Sequence, residues 1–262
     1  MTVEYRWAEN QYDRLPALAA DLVRRRVAVI VGITEPALAA KAATTTIPIV
    51  FLTGSDPVAS GLVASLNRPG ANLTGTTVLS AELAPKQFQL LRELIPNAAR
   101  FGVLADPTAR LIQSVIPDLQ AAARTLGLQL VVVNAGNDGE LETAFATFSQ
   151  QHVDAVRVEN SGFFIGRLEQ LVALAARHAL PAIYTGREFA LAGGLMSYGS
   201  SIDYGWHQSA IYTARILKGE KPADLPVQQV TKIDLVINLK TAKALGLTIP
   251  ETLLATADEV IQ

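Results

Sequence analysis

The sequence predicts an α/β protein built as two Rossmann-like lobes with parallel sheets. Three observations carry that expectation. Short β-branched apolar runs alternate with alanine- and leucine-rich amphipathic stretches along most of the chain. The alternation breaks near residues 67–85 and restarts at Phe101, which divides the chain into two units of similar rhythm. Half of the 262 residues are hydrophobic and 18% are charged, a balance that supports a sizeable core and excludes a disordered chain.

Taken in order, Tyr12 to Arg26 carries Leu15, Leu18, Ala19, Leu22 and Val23 at helical spacing. Val27-Ala28-Val29-Ile30-Val31 reads as a buried parallel strand. A helix is expected over Glu35 to Thr44, with Pro36 in its first turn, and a strand over Ile47 to Leu52. Asn67 to Asn72 is a turn cluster, Leu73 to Leu79 is extended and Pro85 to Ile95 is helical. The restart gives strand Phe101–Ala105, helix Leu111–Leu126, strand Gln129–Val133, helix Gly139–Gln151 and strand Val153–Val158. Helix Ile165–His178, strand Pro181–Tyr184, the Gly193-Gly194 turn, a short strand Leu195–Tyr198 and helix Tyr204–Leu217 follow. The last forty residues are mixed, with strand-like Leu225–Val230 and Leu235–Ile237.

Several function classes fall away. Net charge is −2 with acids and bases interspersed, so no basic patch points to nucleic acid. The absence of cysteine removes disulfides, thiolate chemistry and cysteine zinc sites. No stretch reaches the roughly 18 apolar residues of a membrane span. The opening residues lack the basic start and apolar region of a signal peptide. His152, His178 and His207 have no metal-ligand spacing to one another. There is no G-x-S-x-G elbow, P-loop or G-x-G-x-x-G after a strand. Neither a metal nor a cofactor is expected, and catalysis is not.

In open α/β sheets ligands bind beyond the carboxyl ends of the strands. The residues there are Gly32–Glu35, Thr53–Pro57, Asp106–Thr108, Glu159–Phe164, Thr185–Glu188 and Tyr198–Ser201. They are rich in small residues, hydroxyls and amides, which suit hydrogen bonding and helix N-terminal anion sites. A plainer reading makes Thr34, Ser55, Asp56, Asp106 and Ser161 helix N-caps. Phe163 and Phe164 read as core, although two consecutive aromatics are not expected to face one core together. Tyr198 fits either a cleft wall or packing within its lobe.

Long ordered stretches of this chain resemble a known family. They include Val3 to Ala8, Gln11 to Ala19, Lys41 to Phe51, Asp56-Pro57-Val58, Gly61 to Gly70 and Asn72 to Gly75. Later come Leu171 to Tyr184, Arg187-Glu188-Phe189, Ala192 to Gly199, Leu217 to Pro226 and Asn238 to Leu247. These are similar to the ABC-transporter substrate-binding proteins of the tryptophan/tyrosine-transport type. The resemblance implies the type I periplasmic-binding-protein architecture and a periplasmic location. It implies a small polar or aromatic ligand, an amino acid or small aromatic acid, held in an interlobe cleft and passed to a membrane permease. The alternative is a ligand-sensing module of a regulatory system.

On this reading lobe 1 covers residues 1–82, a crossover helix 83–98 and lobe 2 residues 99–200. Residues 201–262 form a return helix and a C-terminal segment spanning both lobes. Carried over by position, the ligand-binding candidates are Thr34, Ser55, Asp56 and Ser80 in lobe 1. In lobe 2 they are Asp106, Asn160, Phe163, Glu188 and Tyr198. Family members carry a signal peptide and a first strand and helix ahead of the Glu4-Tyr5-Arg6-Trp7 stretch, so lobe 1 is expected to be incomplete. Two consequences are possible for its sheet. Val3–Trp7 pairs directly with Val27–Val31, or two chains associate through the open edge as a homodimer, the favoured outcome.

Overall fold

The computed structural model describes residues 2–9, 11–78, 83–109 and 112–262. The chain divides into two compact units, residues 1–79 with 202–231, and residues 80–201 with 232–262.

Unit 1 is a four-stranded parallel sheet in the order β1-β2-β3-β9, with β1 Ile30–Ile33, β2 Ile49–Thr53, β3 Leu73–Thr77 and β9 Gln228–Gln229. Every residue of β2 is buried, because side chains alternate between two covered faces. Ile49 and Phe51 pack with Ala37 and Ala40 of α2 (Thr34–Ala43). Val50 turns the other way onto Tyr212 and Ile216 of α9 (Ile202–Leu217). α1 (Leu15–Arg24) packs beside α2. Two of the sequence expectations need correction here. The first strand begins at Ile30, not Val27. Arg26 is left-handed, at φ 53°, and Val27 N–H returns to Leu22 O to close α1, so Val27 is spent on the helix end. Nor does Val3–Trp7 pair with that strand. Among the described residues β1 pairs with β2 alone. Ion pairs hold the N-terminal segment to α1 and its end instead, with Arg6 on Asp21 at 2.6 Å and Glu4 on Arg25.

Unit 2 carries a seven-stranded sheet in the order β11-β10-β8-β7-β6-β4-β5. Its strands are β4 Arg100–Ala105, β5 Gln129–Asn134, β6 Ala155–Val158, β7 Ala182–Tyr184, β8 Met196–Ser200, β10 Ile233–Asn238 and β11 Glu259–Ile261. All neighbours are parallel except β8 and β10, which run antiparallel, so this sheet is mixed rather than purely parallel. One face packs Phe101, Val103, Ile183 and Met196 against Phe88 and Leu91 of α3 (Ala84–Leu94) and Leu119 of α4 (Ile112–Thr125). The other packs Leu104, Val156 and Val158 against Phe145 and Phe148 of α5 (Asp138–Gln150) and Leu171 of α7 (Leu168–Arg177). The helix expected over Ile165–His178 is two, because Gly166 ends the single turn α6 (Gly162–Ile165) before α7 begins. The short helices α8 (Arg187–Leu191), α10 (Leu239–Ala244) and α11 (Glu251–Thr256) complete the unit.

Candidate functional site

The strand ends of unit 1 gather hydroxyls. Thr34 opens α2 and is buried, and its Oγ1 lies 2.9 Å from Thr53 Oγ1 at the end of β2. Ser55 N–H donates to Thr53 Oγ1 at 3.1 Å, and Thr77 Oγ1, at the end of β3, donates to Ser55 O at 3.3 Å. Thr76 Oγ1 is buried with no partner. Thr34 is therefore not the N-cap of α2; that position belongs to Ile33, which offers no side-chain acceptor. Its hydroxyl is committed to Thr53 at the end of β2, and the first turn of α2 carries the acidic Glu35 and Pro36, which has no N–H. Asp56 is exposed, and its Oδ1 accepts from Val58 N–H at 2.8 Å and Ala59 N–H at 3.3 Å, a local turn. Ser80 lies outside the described residues.

The strand ends of unit 2 gather charge. Asp106 follows β4 and is fully buried. Its Oδ1 accepts from Thr108 N–H at 2.9 Å and from Thr108 Oγ1 at 2.6 Å, while Oδ2 has no partner. Next to β4 runs β6, with Leu104 in register with Val158, and Glu159 N–H donates to Leu104 O at 3.0 Å. This register sets Glu159 and Asp106 on neighbouring strand ends. Arg157 on β6 is fully buried, and burial pushes its guanidinium down to about 9, which leaves it charged at neutral pH. It pairs with Glu159 and donates from Nε to Gln87 Oε1, and Gln87 Nε2 donates to Tyr198 O at 2.7 Å.

The remaining candidates sit around this end. Asn160 is half-buried beyond Glu159. Ser161 does act as an N-cap, accepting from Phe164 N–H at 3.1 Å at the start of α6. Phe163 and Phe164 are both buried in the same core, with ring centroids 5.6 Å apart, contrary to the expectation that consecutive aromatics diverge. A single helical turn spreads adjacent side chains by only about 100°, so two rings can enter one wide core. The Arg167 guanidinium lies over Phe163, 5.3 Å from its centroid. Glu188 is in the first turn of α8, half-buried, with its carboxylate folded against Gly186. Tyr198 on β8 is half-buried and packs on the unit's core.

Sequence reasoning placed Thr53 at a strand end without choosing it as a ligand-binding candidate, and it passed over Thr76, Thr77, Arg157 and Gln87. Thr53 was visible as a hydroxyl closing the apolar run of β2, and Thr76 and Thr77 as hydroxyls at the end of β3. Arg157 was visible as a charge inside the run Ala155-Val156-Arg157-Val158, where an unpaired cation is not tolerated. Gln87 gave no signal, since a helical glutamine is ordinarily solvated. Among the described residues no group of three or more His, Asp or Glu side chains is placed to hold a metal ion, and no helix is long and apolar enough to cross a membrane.

Comparison with known proteins bears on this arrangement. The family model described as ABC transporter substrate binding protein matches residues 1–261. A tyrosine-binding protein of Clostridioides difficile (strain R20291) is 25% identical over 247 residues, which is 94% of this chain and 70% of that protein. A conserved domain protein from Vibrio cholerae O1 biovar El Tor superposes with a TM-score of 0.91 at 30% identity, over 98% of this chain and 86% of that one. An ABC domain from Streptococcus pneumoniae, solved with L-Trp, gives 0.89 at 26% identity over 100% and 90% of the two chains.

Proposed function

Because the chain belongs to the ABC transporter substrate-binding protein family, we propose that it binds an aromatic amino acid or a small aromatic acid in the periplasm, without turnover, and hands it to a membrane permease. The observation that carries the ligand class is the unit 1 hydroxyl set at the start of α2. Thr34 Oγ1 and Thr53 Oγ1 lie 2.9 Å apart and Ser55 N–H donates to Thr53 Oγ1, a cluster of strand-end hydroxyls that suits hydrogen bonding to a carboxylate. Unit 2 has its own strand-end candidates, the polar Asp106, Asn160 and Glu188 and the aromatic Phe163 and Tyr198, of which Phe163 is buried in that unit's core. Asp56 of unit 1 and Ser80 are the remaining candidates. Two similar proteins are described by the aromatic amino acids tyrosine and tryptophan, which supports an aromatic body.

The test is isothermal titration against a panel of aromatic amino acids and small aromatic acids. One-site saturable binding to a panel member is expected, and heats of dilution alone across the whole panel would sink the reading. We also propose that two copies pair along β1. Support comes from its open edge and from Val31 and Ile33, which are 46% and 39% exposed.

A further inference from the structure

We propose that the open side of β1 is a self-complementary surface whose occupant is a second copy of this chain, set antiparallel about a two-fold axis at Val31. The inference rests on the β1 pairing proposed above and deepens it by fixing its direction and register.

Ile30 N–H donates to Pro48 O at 2.9 Å, so Ile30 and Gly32 turn their hydrogen-bonding groups toward β2. Alternation along a strand then turns those of Val29, Val31 and Ile33 to the open side. The same three side chains share one face of the sheet. Val29 packs there against the cluster of Val50 and Tyr212, where α9 lies over β2 and β3. Beyond that cover Val31 and Ile33 stay exposed.

Apolar surface alone names no occupant, but the charges at its two ends do. Arg24, Arg25 and Arg26 are exposed at the end of α1, just before β1. Arg24 and Arg25 are ion-paired with Asp21 and Glu4, while Arg26 has no ion pair among the described residues. Just after β1, Glu35 lies in the first turn of α2. Asp203, exposed in the first turn of α9, lies at the same end, because Ile202 and Gly205 approach Leu52 late in β2. The open side is therefore basic before β1 and acidic after it. A parallel neighbour would set arginines against arginines. A copy turned about a two-fold axis sets each basic end against an acidic one, so a single patch complements itself.

Centring the axis on Val31 matches the whole of 29–33 with itself. Val31 meets its own copy in a pair that exchanges both N–H···O bonds, and Val29 meets Ile33. Val27 then stands opposite Glu35, which brings Arg26 toward that carboxylate.

The chain has no cysteine, so single introduced cysteines report the register. Val31→Cys and Ile33→Cys are each oxidised with copper phenanthroline and run on non-reducing gels. Across the proposed axis the two position-31 Cα atoms lie about 5.5 Å apart, within reach of a disulfide. The two position-33 atoms lie about 13 Å apart, four residues along the ladder and beyond that reach. Val31→Cys is expected to give about tenfold more covalent dimer than Ile33→Cys. Light scattering of the wild type at about 50 and about 500 mM sodium chloride is expected to show a weaker dimer at high salt.

Cross-linking of both variants alike keeps the β1 pairing and overturns the antiparallel register. A dimer that neither cysteine traps, or that Ile33→Cys alone traps, overturns the inference. A dimer no weaker at high salt overturns the charge argument that chose its direction. A wild-type monomer overturns the inference and the β1 pairing together.

Discussion

Gly199 sits where β8 passes the end of β7, and replacing it with alanine should unfold unit 2 from the strand ends. A Cβ at this position would lie 1.9 Å from Thr185 O and 2.8 Å from Thr185 C. Both are backbone atoms, so no rotamer change relieves the clash. An ordinary carbon–oxygen contact is about 3.3 Å, so the strands must separate by about 1.4 Å. Such a shift disturbs about two ladder hydrogen bonds at roughly 1 kcal/mol each. It adds an overpacking cost of about 2 kcal/mol. The expected loss is about 4 kcal/mol, or about 8–16 °C in melting temperature for a chain of this size. Gly127→Ala is the control. Gly127 has φ +68° with nothing near its absent Cβ, so alanine costs only about 1–2 kcal/mol of backbone strain. Differential scanning calorimetry of both variants against the wild type is the assay. A Gly199→Ala melting temperature no lower than that of Gly127→Ala would refute the packing argument.

Other consequences can be checked with modest effort. The Tyr184 hydroxyl is buried without a partner, and burial pushes its phenol upward, so Tyr184→Phe removes an unsatisfied group and raises stability by about 1 kcal/mol. A lower melting temperature would mean that the hydroxyl has a partner in solution. Glu142 and Glu220 are held below the usual carboxylate range by hydrogen bonds from Arg177 and Arg215. A depressed folded pKa stabilises above the unfolded value, 4.5, and that contribution is lost as pH falls through the folded value. The melting temperature should therefore hold from about pH 7 to 5 and decline shallowly below about 4.5, less so in high salt. A fall centred near pH 6.5 would point to histidine instead. Light scattering after size exclusion is expected to give twice the 27.9 kDa chain mass, and a monomer at that mass would remove the β1 pairing.

Much of this arrangement was legible in the sequence, for reasons that differ by element. The buried strands β2, β4 and β6 announce themselves because both faces are covered, which makes their runs almost continuously apolar. The start of β1 was misread because Val27 has strand chemistry but serves the end of α1, and only the three-dimensional turn at Arg26 decides that. The antiparallel step from β8 to β10 left no local mark, since an inward-facing strand reads the same in either direction. Strand-end position was enough to single out Thr34 and Asp106 as candidates. The network of Arg157, Gln87 and Tyr198 joins residues 70 and 111 positions apart, a separation that no local pattern encodes.

The central claim is that this chain is a small-molecule carrier, and native mass spectrometry of the gently purified protein tests it most directly. The account predicts a bound species that adds a single small-molecule mass to the polypeptide and is displaced by an excess of an aromatic amino acid or aromatic acid. A bare polypeptide mass that no member of such a panel shifts would contradict it.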